Sequence, residues 1–329
     1  MNKVKWGVLG TAYIFERDTA RGMELAENCE MVAIAGRSME KAQAFKEKYH
    51  FRRAYGSYEE LLDDPEIEAI YIALPNTLHY EWTIKALQHG KHVLCEKPLA
   101  PTEREAKEMF QAARDNNVLL MEAFAYQHTP YLKEIRKLIE DDVIGDIVYA
   151  EAALITSDYD LSNIRMRKET FGGCTYDLGV YSLSLLQRMT GMAPEKIHAA
   201  AVFSEEGIDT YTTGILEYPD GKKTHFDCGM VLATEKNAFL DHFAIHGTKG
   251  SVTSVNFSFN AHGKLSYRLC TFDGVDEVHE VEVRNNYCLE VEQFGRCVRN
   301  EETPYLTEEF SVSLAGTVDK VLDIIGYWK

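Results

Sequence analysis

The first 120 or so residues repeat one pattern, a short β-type run followed by a helical stretch. That rhythm constrains the fold more than any other feature of the chain. Val4–Leu9 reads as a strand, and residues 13–27 as the helix after it. Residues 31–35 form a second apolar run, and Ser38 stands where an N-cap belongs, before a helix over Met39–Tyr49. Ser57 with Glu60, and Thr102 with Glu105, have the spacing of capping boxes. Between them, residues 69–74 are continuously apolar, as expected of a strand buried on both faces. Asn76 or Thr77 is placed to cap the next helix, and Gly90 falls at its C-terminal stop. His92–Glu96 and residues 118–121 supply further strands. Strands and helices alternating through short connections predict a doubly wound parallel sheet with right-handed crossovers.

After about residue 125 the rhythm changes. A helix is expected over Pro130–Glu140, ended by Gly145, and another helical pattern follows a glycine pair within residues 171–190. Residues 199–283 alternate and are rich in Tyr, Phe, Thr and Val, with turn signals at Pro219-Asp220-Gly221, Gly247, Gly250 and Gly263. Several hairpin-linked strands predict a large, mainly antiparallel open sheet. Residues 308–328 form an amphipathic helix that could pack back on the first domain. The fold class is therefore an α/β Rossmann-type N-terminal domain over 1–124, followed by an α+β domain over 125–329. A length of 329 residues accommodates two such cores.

Composition narrows the function. With 35 Lys+Arg against 52 Asp+Glu the net charge is −17, which disfavours nucleic acid and anionic membrane surfaces as partners. The seven cysteines are odd in number, scattered, and contain no C-x-x-C pair, so reduced thiols in a cytoplasmic protein without a zinc framework are expected. Gly7 and Gly10 interrupt the N-terminal apolar run and charged residues 16–18 close it, which fits a strand running into a helix and not a signal peptide. His225, His242 and His246 lack metal-ligand spacing, and no metal is expected. No G-x-S-x-G or H-E-x-x-H motif is present, so hydrolase chemistry of those classes has no support.

The turn after the first strand, Gly10-Thr11-Ala12-Tyr13-Ile14-Phe15, carries only the first glycine of G-x-G-x-x-G. In a βαβ unit such a turn brings backbone N–H groups and a helix N-terminus to a pyrophosphate. NAD specificity normally uses an acid at the end of the second strand. Here the sequence reads Ala35-Gly36-Arg37-Ser38, with Lys41 one helical turn on. A forked cation, a hydroxyl and a second cation suit a 2′-phosphate, so NADP(H) is favoured over NAD(H).

Residues 70–100, IYIALPNTLHYEWTIKALQHGKHVLCEKPLA, closely resemble the glucose–fructose oxidoreductase / inositol dehydrogenase / rhizopine-catabolism family of NAD(P)-dependent oxidoreductases. Glu122-Ala123-Phe124 sits where that family carries its E-A-F. The run Gly172-Gly173-Cys174-Thr175-Tyr176-Asp177-Leu178-Gly179-Val180-Tyr181 resembles its G-G-G-x-x-x-D-x-G-x-[HY] signature. Tyr at the last position is similar to the dihydrodiol dehydrogenase branch.

The resemblance implies catalytic roles for Lys97, Tyr181 and Asp177, with Pro98 following an often cis peptide. It implies a cofactor lining of Gly10, Thr11, Ala12, Tyr13, Ile14, Arg37, Ser38, Lys41, Leu74, Pro75, Asn76, His79, Glu96, Lys97 and Arg165. The implied substrate is a small sugar, polyol, inositol or dihydrodiol, and the assembly a homodimer or dimer of dimers. The alternative is a catalytically inactive, nucleotide-responsive regulatory protein of the same fold; a third reading is redox-assisted glycoside cleavage by a tightly held cofactor. Phe15, at a usually small position, is expected to loosen helix–strand packing or to set an aromatic against the cofactor. Cys174 stands in place of the third glycine, and Gln127-His128 in place of a common Arg-Phe.

Overall fold

The computed structural model describes residues 2–157, 160, 162–232 and 239–329. They form two compact units, one of 2–128 with 284–312, the other of 129–283 with 313–329.

The first unit is built on six strands: β1 (Val4–Leu9), β2 (Cys29–Ala35), β3 (Arg53–Tyr55), β4 (Ala69–Ile72), β5 (His92–Glu96) and β6 (Leu120–Ala123). Their order is β3-β2-β1-β4-β5-β6 and every pair is parallel. The order reverses between β1 and β4, where ligands of doubly wound sheets bind at the strands' carboxyl ends. Helices α1 (Ala20–Leu25), α2 (Met39–Tyr49), α3 (Tyr58–Leu62), α4 (Asn76–Gln88) and α5 (Glu103–Asp115) connect them. Ser38, Ser57 and Thr102 each accept an N–H from the residue three positions on, as their capping spacing predicts. The α4 start differs from expectation: Pro75 is its N-cap and supplies no side-chain cap. Proline has no side-chain acceptor, but its fixed φ of −58° aims the chain into the helix.

The expected first helix begins as a π-turn over Phe15–Thr19 before settling into α1. Phe15 is fully buried, its ring 5.3 Å from Tyr49, 5.8 Å from Phe51 and 6.3 Å from Tyr71. The expected loosening does not occur, because an aromatic cluster fills the space, and Phe15 faces that core and not a cofactor.

The second sheet contains β7 (Ile147–Ser157), β8 (Lys196–Phe203), β9 (Asp209–Glu217), β10 (Lys223–Leu232), β11 (Phe239–Gly247), β12 (Gly250–Asn256), β13 (Gly263–Thr271) and β14 (Asp276–Val283). Its order is β14-β13-β12-β11-β7-β10-β9-β8, antiparallel except for β7 with β10. Helices α6 (Pro130–Glu140) and α7 (Val180–Thr190) pack on it, α7 against β7 and β10 and α6 against β14. Val202, Ile215, Val231 and Leu240 remain exposed.

Helix α8 (Asn286–Val298) returns the chain to the first unit. Its Phe294 ring lies 4.9 Å from Trp6 on β1, and a Cβ on Gly22 would come within 2.5 Å of Tyr287. Arg299 grips Glu68 through two nitrogens at 2.8 and 2.9 Å. A change of period along the sequence does not reveal this return. The last helix, α9 (Glu308–Ile325), completes the fold, and among the described residues no helix is long and apolar enough to cross a membrane.

Candidate active site

Gly10 ends β1 with φ +108°, and its N–H donates to Ala35 O at 2.9 Å. A Cβ there would lie 2.5 Å from Ala73 O, so only glycine permits the three strand ends to approach this closely. The resulting cradle of bare backbone at a strand-to-helix turn fits a dinucleotide pyrophosphate. Thr11, Ala12 and Ile14 are half-buried, while Tyr13 is 67% exposed with the Arg17 guanidinium 5.6 Å from its ring. At the end of β2, Arg37 and Lys41 are exposed, and Ser38 Oγ accepts the Lys41 N–H at 3.3 Å. That hydroxyl keeps its proton available to donate outward.

Lys97 follows β5 half-buried, and the Lys97–Pro98 peptide is cis. The Glu96 carboxylate turns inward, accepting the Tyr71 hydroxyl, which is itself hydrogen-bonded to Thr19 Oγ1 at 2.9 Å. Burial raises the Glu96 pKa above the usual carboxylate range. His79, expected along the cofactor, is fully buried with its ring nitrogens on Pro98 O at 2.8 Å and Leu74 O at 2.9 Å. Its ring therefore sits between the β4–α4 turn and the proline loop, and as a neutral imidazole it donates its single N–H to one of the two carbonyls. Burial lowers its pKa. Glu122 fixes the same loop from β6, accepting the Leu99 N–H at 2.8 Å; burial pushes its carboxyl up to about 7. Glu290 on α8 is likewise buried and raised, with His128 Nε2 at 3.9 Å.

In the second unit, Gly172 and Gly173 lead into a π-turn over Thr175–Gly179 that runs directly into α7. A Cβ on Gly172 would lie 2.4 Å from Arg165 O, and one on Gly173 2.1 Å from Asp209 Oδ1. The glycine pair thus lets the 165–167 backbone and β9 close on the turn. Asp177 sits within the π-turn and Tyr181 one step into α7, both nearly buried. Arg165 Nε approaches Asp177 Oδ2 at 2.8 Å, so Arg165, expected along the cofactor, is joined to the predicted substrate-side acid. The Tyr181 ring lies 5.3 Å from Phe259. Asp209 is a residue the sequence does not single out; nothing in Ile208-Asp209-Thr210 marks it as a partner of a turn over thirty residues earlier. No group of three or more His, Cys, Asp or Glu among the described residues could hold a metal.

Residues 4–124 match the model of an oxidoreductase family with an NAD-binding Rossmann fold, and residues 132–253 match the GFO/IDH/MocA C-terminal domain. The chain belongs to the glucose–fructose oxidoreductase / inositol dehydrogenase / rhizopine-catabolism family. It is an NAD(P)-binding oxidoreductase. Trans-1,2-dihydrobenzene-1,2-diol dehydrogenase of Xenopus laevis is 32% identical, over 98% of this chain and 98% of that protein. D-xylose 1-dehydrogenase (NADP(+)) 2 of Haloferax volcanii is 31% identical, over 97% of this chain and 96% of that one. A 3-ketoreductase from Actinomadura kijaniata, solved with NADP and TDP-benzene, superposes with a TM-score of 0.89 at 26% identity, covering 98% of each chain.

Proposed function

We propose that the protein moves a hydride between nicotinamide C4 and a carbonyl or secondary alcohol carbon of a sugar, polyol, inositol or dihydrodiol-like substrate, with NADP(H) preferred. It acts on CH–OH groups, as its named relatives do. The observation that carries the reading is the Arg165–Asp177 pair, which fixes an acid four residues before Tyr181 at the start of α7. Gly10, Thr11, Ala12, Tyr13, Ile14, Leu74, Pro75 and Asn76 would line the cofactor, and Arg37, Ser38 and Lys41 would meet the 2′-phosphate. When bound, the nicotinamide supplies or accepts the hydride.

The chain's own task is the proton. Reduction of a carbonyl requires a proton at the new alkoxide oxygen, and oxidation requires its removal. Lys97 and Tyr181 hold and move that proton, and Asp177 orients the substrate hydroxyl. Residues 1–124 bind the nucleotide and 125–329 supply the substrate side and a dimer face, on the exposed apolar side chains of the open sheet. A homodimer or dimer of dimers in the cytoplasm accords with these side chains and with seven free cysteines.

The test is a panel of sugars, polyols and diols with NADP(H) and NAD(H), followed at the nicotinamide absorbance. Turnover of at least one class, faster with NADP(H), is expected. Tight NADPH binding with no turnover across the panel would replace this reading by the catalytically inactive, nucleotide-responsive one.

A further inference from the structure

One buried carboxylate in the second unit has no part in proton or hydride transfer, yet it meets the turn that carries Asp177. Asp209, the first residue of β9, is fully buried. Its Oδ2 accepts the Thr175 N–H at 2.8 Å, the Thr175 hydroxyl at 2.6 Å, the Thr212 hydroxyl at 2.9 Å and the Cys174 thiol at 3.1 Å. Three of those four donors belong to the two residues that open the π-turn. Its Oδ1 lies against Gly173, where a Cβ would come within 2.1 Å.

A carboxylate stripped of water needs several donors to remain a carboxylate, and it holds those donors tightly in return. Here the donors are the backbone and side chains of the turn itself. The far side of the same turn is fixed separately: Tyr327 donates its hydroxyl to Gly172 O at 2.8 Å and stacks edge-on to Tyr176 at 5.7 Å. The turn is therefore clamped between β9 and the end of the chain. Asp177 lies two residues past the Thr175 anchor, with its N–H on Gly173 O at 3.1 Å.

We propose that Asp209 is a positioning residue of the reaction, setting the π-turn at Thr175 so that Asp177 and Tyr181 are presented in one fixed geometry. This deepens the proposed function and rests on it. It also accounts for Cys174 in place of a third glycine: the thiol is one of the four donors, so the substitution is absorbed by the clamp. Burial raises the Asp209 pKa while the four donors oppose the rise.

The test removes the donor as well as the acceptor. Thr175→Val deletes the hydroxyl at nearly constant volume, Thr175→Ser retains it, and Asp209→Asn removes the charge while keeping the shape. Each is compared with wild type by steady-state kinetics, NADPH titration, thermal melting and amide hydrogen exchange. Expected for Thr175→Val and Asp209→Asn is a tenfold or greater loss of kcat, with NADPH affinity unchanged and exchange accelerated at residues 173–181. Thr175→Ser should restore most of kcat. If Asp209→Asn does not fold, the Val and Ser pair decides. Wild-type kcat in Thr175→Val overturns the proposal. So does a lowered melting temperature with faster exchange throughout the second unit and unchanged kcat, since that describes a merely structural role. Should wild type turn over nothing on the panel, the functional reading fails by itself. The exchange pattern then still reports whether Asp209 sets the turn.

Discussion

The Glu122 carboxylate accepts the backbone N–H of Leu99 at 2.8 Å, two residues beyond Lys97, from a position only 2% exposed. Burial raises its pKa from 4.5 to about 7. Between those values the folded chain binds a proton that the unfolded chain has released. Its contribution to stability is therefore complete below pH 4.5 and is lost as pH rises through 7. The linkage amounts to about 3 kcal/mol at most. Glu122→Gln retains an acceptor for Leu99 but cannot titrate. Melting temperature measured across this window should fall less steeply with pH in the variant than in wild type. Parallel slopes would show that Glu122 does not carry the titration.

Lys97 and Tyr181 are proposed to share the proton. Lys97→Met and Tyr181→Phe keep the bulk of each side chain and remove the exchangeable proton. Each should lower kcat by about 10²–10⁴-fold while leaving NADPH binding, read by nicotinamide fluorescence, within a few-fold of wild type. A Tyr181→Phe enzyme with undiminished kcat removes the phenol from the reaction.

Much of this fold is legible in the sequence, and the illegible parts share physical causes. Strands β1, β2, β4, β5 and β6 show because each is a short apolar run, and the caps at Ser38, Ser57 and Thr102 mark helices between them, whereas β3, only Arg53-Ala54-Tyr55, carries no such run and does not show. Strand β7 does not show, because its Ala150-Glu151-Ala152-Ala153-Leu154 core is made of good helix formers. Its place between β10 and β11 makes it a strand, a tertiary effect that overrides local propensity. Helix α8 is periodic enough to be a helix, but nothing local says that it returns to the first sheet. In the candidate site, Arg165 and Asp177 are both identifiable, whereas their contact at 2.8 Å is not. The approach of Pro98 O to the His79 ring is hidden for a related reason, since nineteen residues separate them in the sequence. Asp209 leaves no trace because its partners lie in a different element.

Arg37 stands exposed at the end of β2, the position where an acid would select NAD. Arg37→Glu would replace the proposed charge-assisted contact to a 2′-phosphate, worth about 1.5–3 kcal/mol, by repulsion. The ratio of kcat/KM for NADPH over NADH should fall by about ten- to a hundredfold or more. Lys41→Ala should move it in the same direction by less. An unchanged ratio in Arg37→Glu would mean that the 2′ position is read elsewhere.

Phe15 joins the turn after Gly10 to the core of the first unit. It opens the π-turn five residues after Gly10, and its ring meets Phe45, Tyr49, Phe51 and Tyr71 at centroid separations from 5.3 to 6.4 Å. Tyr71 in turn hydrogen-bonds Glu96, the residue before Lys97. Phe15→Ala would leave a cavity in this aromatic cluster, at a cost of about 3–5 kcal/mol. Phe15→Leu fills most of the volume and should cost less. Because the π-turn sets where the helix N-terminus points, NADPH affinity should weaken in Phe15→Ala even at temperatures where the variant is fully folded. Leu at this position should restore affinity together with stability. Chemical denaturation and NADPH titration on the same samples separate the two effects. If affinity stays at the wild-type level while stability falls by several kcal/mol, the aromatic cluster supports the sheet alone and the turn keeps its shape without it.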